Sequence, residues 1–149
     1  MGARRIMPTS YLLVSLLIMI LLHLFIPLGR VLPTPWNLGG LIPLGTGLAL
    51  NLIADRAFRR ARTPVRPLES PAVLLEDGVF RITRNPMYLG FVLVLLGIAT
   101  LLGSAAPFVV IPCFAALMDR VFIPIEEANL ERSFGEAWLR YRSRVRRWF

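Results

Sequence analysis

Two apolar stretches separated by a single serine decide the fold. They are MYLGFVLVLLGIATLLG at residues 87–103 and AAPFVVIPCFAALMDRVFIPI at residues 105–125, on either side of Ser104. Each approaches or reaches the about 20 apolar residues with which an α-helix crosses the roughly 30 Å hydrocarbon core of a bilayer. Because the connection between them is so short, the two helices should lie side by side and antiparallel. The sequence therefore predicts a membrane-embedded helical hairpin.

Two further apolar stretches precede the hairpin and predict two more spans, at residues 11–28 and 36–54. The first follows two arginines, as in a signal peptide, but it is too long and no small-residue cleavage site follows, so we expect a retained anchor. In the second, Pro43 should produce a kink. Glycines should let neighbouring helices approach closely in the second span and on one face of the third; they are Gly39, Gly40, Gly45, Gly47, Gly90 and Gly97.

The composition also favours a membrane protein. Hydrophobic residues make up 56% of the 149 residues and the mean hydropathy is +0.63, above the balance of an ordinary soluble domain. The single cysteine, Cys113, excludes an internal disulfide, and the single histidine, His23, has no second metal-binding group beside it. We therefore expect an all-α, polytopic membrane protein. It should have about four transmembrane helices in one domain over residues 1–149, with a cytoplasmic amphipathic helical segment at the C-terminus.

The positive charge should lie on one side of this bundle. The net charge is +8, and all 17 basic residues are arginines. The N-terminus, residues 55–86 and the residues from 119 onward hold 16 of the 17, and four spans place these three regions on the same side. Since cytoplasmic loops are rich in basic residues, both termini should be cytoplasmic and the protein multi-pass in the inner membrane of the cell. This explains the charge without nucleic-acid binding, which we do not expect.

Residues 126–149 form a basic tail with an amphipathic pattern. Its apolar residues recur every three or four positions: Leu130, Phe134, Trp138, Tyr141, Val145 and Trp148. The arginines lie mostly around this stripe, and Gly135 should divide the helix into two pieces. The pattern is typical of a helix in the headgroup layer, where anionic lipids attract arginine. A solvated basic tail is the alternative.

Polar residues that could carry chemistry stand at the cytoplasmic edge of the hairpin. Pro86 suits the first position of the third span, so Asn85 is placed to cap it, with Arg84 beside it. Glu126 and Glu127 follow the fourth span, and the hairpin should bring the two groups together. A cation and helix-end donors facing two carboxylates suit a ligand that carries both a carboxylate and an ammonium group. Alternatively, these side chains are solvated or form ion pairs with one another.

The run LLEDGVFRITRNPMYLG at residues 74–90 resembles the core of the isoprenylcysteine carboxyl methyltransferase family, which belongs with the membrane phospholipid methyltransferases. The second block of that family is a paired glutamate followed by leucine, Phe-Gly, spaced aromatic residues and a basic end. Residues 126–145 are similar to it. The resemblance covers roughly residues 63–149, with both blocks in the family's order. Asn85 stands where many eukaryotic members have histidine, and the first two spans carry no family signature.

The resemblance implies S-adenosylmethionine as the methyl donor, bound between the two blocks without a Rossmann domain. Carried over by position, Glu126 would bind its ammonium group, and Arg84 is the candidate for its carboxylate. The other implied cofactor contacts are Leu74, Leu75, Phe80, Asn85, Pro86 and Tyr88. Phe80 replaces the tyrosine usual in the family, so a hydroxyl contact is not expected there.

Two further residues would meet the acceptor. Glu127 would orient the site or deprotonate an amine or thiol acceptor, whereas a carboxylate acceptor needs no base. Arg120 would clamp an anionic acceptor, and an ion pair with Asp119 or Glu126 is the alternative.

The predicted function is methyl transfer to a lipophilic acceptor, either an isoprenylcysteine-like carboxylate or another lipid-like small molecule. Two other classes stay open. A membrane reductase of the sterol-reductase type would use a nicotinamide cofactor, although the chain is short for one. A non-enzymatic membrane adaptor would leave both sequence blocks unexplained.

Overall fold

The computed structural model describes residues 7–63 and 71–149, and the regular secondary structure in these ranges is entirely helical. The α-helices are α1 Pro8–Phe25, α2 Leu41–Arg60, α3 Pro86–Leu102, α4 Val110–Leu117, α5 Ile123–Phe134 and α6 Glu136–Arg144. Turns of 3-10 helix cover Trp36–Gly40, Gly78–Arg81 and Ala106–Val109, and a π-helical turn covers Met118–Phe122. The prediction of an all-α fold is confirmed.

Three helical stretches are long and apolar enough to cross a membrane: Pro8–Phe25, Trp36–Arg60 and Ala106–Phe134. The predicted third span, Pro86–Leu102, is apolar but has only 17 residues, which is about 26 Å at about 1.5 Å per residue. Length and composition therefore support three of the four predicted spans. Three of the arginines that we used to predict the orientation lie outside the described residues: Arg4, Arg5 and Arg66.

Helices α2 and α3 pack together through two pairs of glycines in antiparallel register. A Cβ atom at Gly47 would lie 2.6 Å from the carbonyl oxygen of Gly90, and one at Gly40 would lie 2.5 Å from that of Gly97. These contacts agree with the predicted close approach of helices. The prediction was wrong for two other glycines, which lie on another side of the helix with no atom within 4 Å of such a Cβ: Gly39 and Gly45.

Pro43 lies in the first turn of α2. The backbone N–H groups of a first turn have no partner within the helix, so a proline there removes no α-helical hydrogen bond and need not bend the span.

The hairpin turn closes one end of the bundle. Gly103 ends α3 in the left-handed conformation with φ 73°, and its carbonyl oxygen accepts a hydrogen bond from the Val31 backbone N–H at 2.8 Å. His23 Nδ1 lies 2.8 Å from the Ser104 hydroxyl oxygen, so the histidine has a hydrogen-bond partner inside the protein. We call the opposite end, where α2 ends and α3 begins, the basic end.

The fourth span does not stop at residue 125 as predicted. The helical stretch Ala106–Phe134 continues past Glu126, and the break comes at Gly135, where a break in the tail was predicted. Gly135 adopts φ 51°, a left-handed value that glycine reaches without steric cost.

The apolar stripe of the tail lies against protein. Trp138 and Tyr141 are only 1% and 3% exposed and pack with Ala54 at the end of α2 and with Phe80. The expectation that this stripe lies in the headgroup layer is therefore wrong. A helical period defines an apolar face but not what covers it, and here the break at Gly135 turns α6 back onto the basic end.

Candidate functional site

A cavity of about 280 Å³ lies at the basic end. Four helices contribute their ends or middle to its walls: α1 and α3 through their first turns, α2 through its end and α5 through its middle. Helix α6 and the segment that precedes α3 complete the walls. The lining includes Leu74, Leu75, Phe80, Arg84, Asn85, Pro86, Tyr88, Glu126 and Glu127. The two sequence blocks therefore meet around one cavity, and every residue predicted to contact a cofactor lies in its wall.

The segment before α3 is held by the C-terminal residues of the chain. The Thr83 hydroxyl and the Asn85 side-chain amide each donate to the Arg147 carbonyl oxygen at 3.0 Å, and the Arg84 backbone N–H donates to the Arg146 carbonyl oxygen at 3.0 Å. Asn85 occupies the position that precedes α3, but its side chain makes no capping hydrogen bond. The predicted capping role was wrong: the hydrogen bond from Asn85 Nδ2 to the Arg147 carbonyl oxygen orients the side chain so that its oxygen caps no N–H group of α3.

The two adjacent glutamates have different partners. The Tyr88 hydroxyl donates to Glu126 Oε1 at 2.5 Å. Glu127 is 8% exposed and accepts two hydrogen bonds from Arg147, at 3.2 Å to Oε1 and 2.6 Å to Oε2. Consecutive residues of an α-helix point about 100° apart, which explains the separation. Glu127 is thus engaged in an ion pair, whereas Glu126 faces the cavity with a neutral partner.

Arg84 lies between Glu127 and Trp138. Its Nη1 is 3.1 Å from Glu127 Oε1, without the angle that a hydrogen bond needs, and its guanidinium carbon lies 5.5 Å from the centre of the Trp138 ring. Burial lowers the pKa of Arg84 from its ordinary value, and the Glu127 charge opposes that shift. An arginine still keeps its charge under these conditions.

Two residues that line the cavity carry buried donors with no hydrogen-bond partner among the described residues: Arg84 Nε, Arg84 Nη1 and Trp138 Nε1. An unpaired buried donor costs about 1–3 kcal/mol. Two neighbouring residues with unpaired donors therefore favour an anionic or carbonyl group at this wall.

Arg120 lies outside the cavity, and its side chain is exposed. Neither of its predicted ion pairs is formed, since Asp119 Oδ1 accepts instead from Arg147 at 3.2 Å and from the Trp148 indole N–H at 3.0 Å. The predicted clamp on an anionic acceptor therefore has no support from the position of Arg120.

Several lining residues were not predicted as site residues. Aromatic members are Phe58, Phe91, Trp138 and Tyr141. Trp138 and Tyr141 belong to the apolar stripe that we expected to face lipid. The sequence showed that this face is apolar but not that protein covers it. The Tyr141 hydroxyl donates to the Phe80 carbonyl oxygen at 2.7 Å, which ties α6 to the cavity wall.

Comparison with known proteins identifies a family for this chain. The phospholipid methyltransferase family model matches residues 36–137. Protein-S-isoprenylcysteine O-methyltransferase of Schizosaccharomyces pombe is 36% identical over 76 residues, which are 49% of this chain and 31% of that protein. An uncharacterized protein of Haemophilus influenzae is 36% identical over 62 residues, which are 42% of this chain and 98% of that protein. No solved structure matches.

The family match includes the 74–90 block and most of the second block, so the resemblance drawn from those residues is confirmed. The match also begins at residue 36, so the expectation that the second span carries no family signature was wrong. The segment matched to the Schizosaccharomyces pombe protein is 31% of that protein and 49% of this chain, whereas the family model matches more than half of this chain. With three apolar helices long enough to cross a bilayer, this chain belongs to the phospholipid methyltransferase family of membrane methyltransferases.

Proposed function

We propose that this protein transfers a methyl group from S-adenosylmethionine to a lipophilic carboxylate in the membrane. The observation that carries the proposal is the cavity at the basic end, whose lining residues include Arg84 and Trp138, both with unpaired donors, and Glu126. Membership of a methyltransferase family supports the reaction class.

The residues present fit S-adenosylmethionine by chemistry. Its carboxylate would accept from the Arg84 and Trp138 donors, and its ammonium group would pair with Glu126. Its adenosyl part would contact the apolar wall of Leu74, Leu75 and Phe80. The volume of about 280 Å³ lies close to the lower end of the about 300–1,000 Å³ found for small-molecule sites.

When bound, S-adenosylmethionine supplies an electrophilic methyl group on a sulfonium. The protein's part would be to hold the reactants in line and to exclude water from them. Glu127 is a poor general base because both of its oxygens accept hydrogen bonds from Arg147. An ionised carboxylate acceptor needs no base, so this site suits a carboxylate better than an amine or a thiol.

The acceptor's apolar part would lie against Met87 and Phe91, the lining residues that continue from the cavity along α3. We further propose that α3 is also a membrane span, which makes four in all. The protein would then lie in the inner membrane of the cell, with both termini in the cytoplasm. The exposed arginines on the outer side of α6 would then meet anionic headgroups.

The direct test is isothermal titration calorimetry, which measures the affinity of the detergent-purified protein for S-adenosylmethionine. Glu126→Gln and Asn85→Ala should each weaken binding by about tenfold or more, because each removes a polar group of the cavity wall. Glu136→Gln, at a side chain 90% exposed, is the matched control and should bind as the unaltered protein does.

Absence of binding by the folded, unaltered protein would refute the proposal. Binding of NADPH instead would point to the reductase class, and binding of neither to an adaptor. Incubation of membranes with labelled S-adenosylmethionine, followed by extraction of the labelled lipid and mild base treatment, would identify a methyl ester.

A further inference from the structure

Arg147 lies in the extended C-terminal strap, residues 145–149, and joins two acidic residues of the last long helical stretch. Its Nε and Nη2 donate to Glu127, and its Nη1 donates to Asp119 Oδ1 at 3.2 Å. The Trp148 indole N–H donates to the same Asp119 oxygen. Hydrogen bonding to Glu127 raises the pKa of Arg147, so this guanidinium is held as a cation.

The π-helical turn Met118–Phe122 allows one guanidinium to reach both carboxylates. Asp119 and Glu127 are eight residues apart, an offset of about 80° around the axis of a regular α-helix. A π turn absorbs about one extra residue, which reduces the offset to about 20°. Asp119 and Glu127 therefore face the strap together.

Glu127 also has a second possible partner, Arg84. Because Arg147 fixes the orientation of the Glu127 carboxylate, Glu127 forms a salt bridge with Arg84 at 3.1 Å but accepts no hydrogen bond from it. Arg84 consequently keeps Nε and Nη1 unpaired among the described residues. If Arg147 were removed, Glu127 would be free to turn and form the forked ion pair that arginine and carboxylate prefer.

We propose that Arg147 is a positioning residue: it orients the Glu127 carboxylate so that Glu127 accepts no hydrogen bond from Arg84, which leaves the unpaired Arg84 donors for the carboxylate of the bound ligand. The inference rests on the proposed use of S-adenosylmethionine. It assigns the glutamate pair two tasks: Glu127 anchors the strap, and Glu126 meets the ligand.

Binding of two ligands to one variant distinguishes a positioning role of Arg147 from a general loss of structure at the site. S-Adenosylmethionine carries the amino-acid end, whereas 5′-methylthioadenosine carries the adenosyl group without it. In titrations of the detergent-purified full chain, Arg147→Gln should weaken S-adenosylmethionine binding by about tenfold or more. Binding of 5′-methylthioadenosine should change by less than about twofold, because that ligand has no carboxylate.

Matched variants complete the design. Arg140→Gln removes an arginine 70% exposed on α6 and should leave both affinities unchanged. Arg147→Lys keeps the charge but cannot form the fork, so it should restore binding only in part. Asp119→Asn is a milder change that can be used if Arg147→Gln does not fold. It should weaken the binding of S-adenosylmethionine by a few-fold and leave the binding of 5′-methylthioadenosine unchanged.

The contact itself is checked without ligand. Thermal unfolding of Arg147→Gln, Glu127→Gln and the double variant should show coupling, the double variant being less destabilised than the sum of the two. Equal losses for both ligands, unchanged S-adenosylmethionine binding or absent coupling would each overturn the positioning role. If the unaltered protein binds 5′-methylthioadenosine but not S-adenosylmethionine, or neither, the proposed function fails instead.

Discussion

At the scale of single residues, the site depends on how one helix separates two adjacent acids. Glu126 and Glu127 are chemically the same in the sequence, but Glu126 accepts from the neutral Tyr88 hydroxyl while Glu127 is bound by Arg147. Among the described residues no cation of the protein pairs with Glu126, which leaves this carboxylate for a cationic ligand group. Tyr88, itself 5% exposed, holds that carboxylate in one orientation.

Tyr88→Phe should therefore weaken S-adenosylmethionine binding by about tenfold, since a hydrogen bond to a charged group contributes about 1.5–3 kcal/mol. Titration of the detergent-purified variant measures the change. Tyr11→Phe is the control, at a tyrosine outside the cavity that contacts the Phe122 ring. If both variants bind like the unaltered protein, the Tyr88 hydroxyl does not orient the ligand-binding carboxylate.

At the scale of elements, the α2–α3 contact places part of the site. Four glycines let the two backbones touch, and α2 carries Ala54 and Phe58 to the basic end, where Ala54 packs beside Trp138 and Phe58 lines the cavity. The spacing of seven residues in each helix keeps the two pairs on facing sides. A substitution that moves α2 against α3 should therefore also move the residues at the end of α2 that line the cavity.

Gly47→Ala should destabilise the protein by about 1–3 kcal/mol, because its Cβ would lie against backbone that cannot move alone. The Gly47 Cβ would be 2.6 Å from the Gly90 carbonyl oxygen. Gly45→Ala, two residues away with open space around it, should be neutral or stabilising by less than about 1 kcal/mol. Thermal unfolding in detergent, followed by circular dichroism, compares them; equal effects would show that the glycine contact is not tight.

At the scale of the whole molecule, the basic end gathers parts of the chain that are far apart in sequence. The cavity combines the start of α1, the end of α2, the start of α3 and the stretch through α5 and α6. Most arginines surround this end, whereas Arg30 lies near the hairpin turn at the other. If arginine-rich loops stay in the cytoplasm, the cavity opens to the side where S-adenosylmethionine is made.

Cysteine labelling tests this orientation. In a Cys113→Ala background, Arg30→Cys should react with a charged, membrane-impermeant maleimide in spheroplasts. Arg81→Cys, at a side chain 75% exposed at the basic end, should react only after the membrane is permeabilised. The reverse pattern would place the site on the outer side and contradict the orientation derived from the arginine distribution.

The sequence alone determined three apolar helices long enough to cross a membrane, the hairpin and the two blocks of residues that meet around the cavity. Apolar length and helical period depend on local composition, so the spans at 11–28 and 105–125 were predictable within a few residues at most ends. The positions of Asn85 and Glu126 followed from two blocks that resemble one family, and a short hairpin connection brings such blocks together.

Only the tertiary structure decided what each face meets. The stripe that includes Trp138 and Tyr141 was visible as apolar, but protein and lipid are both apolar, so its period could not distinguish them. The pairing of Arg147 with both Glu127 and Asp119 spans 20 and 28 residues and depends on helix phase, a π turn and the helix break at Gly135. Helix phase and chain reversal arise from packing of the whole bundle, and no local pattern of residues encodes them.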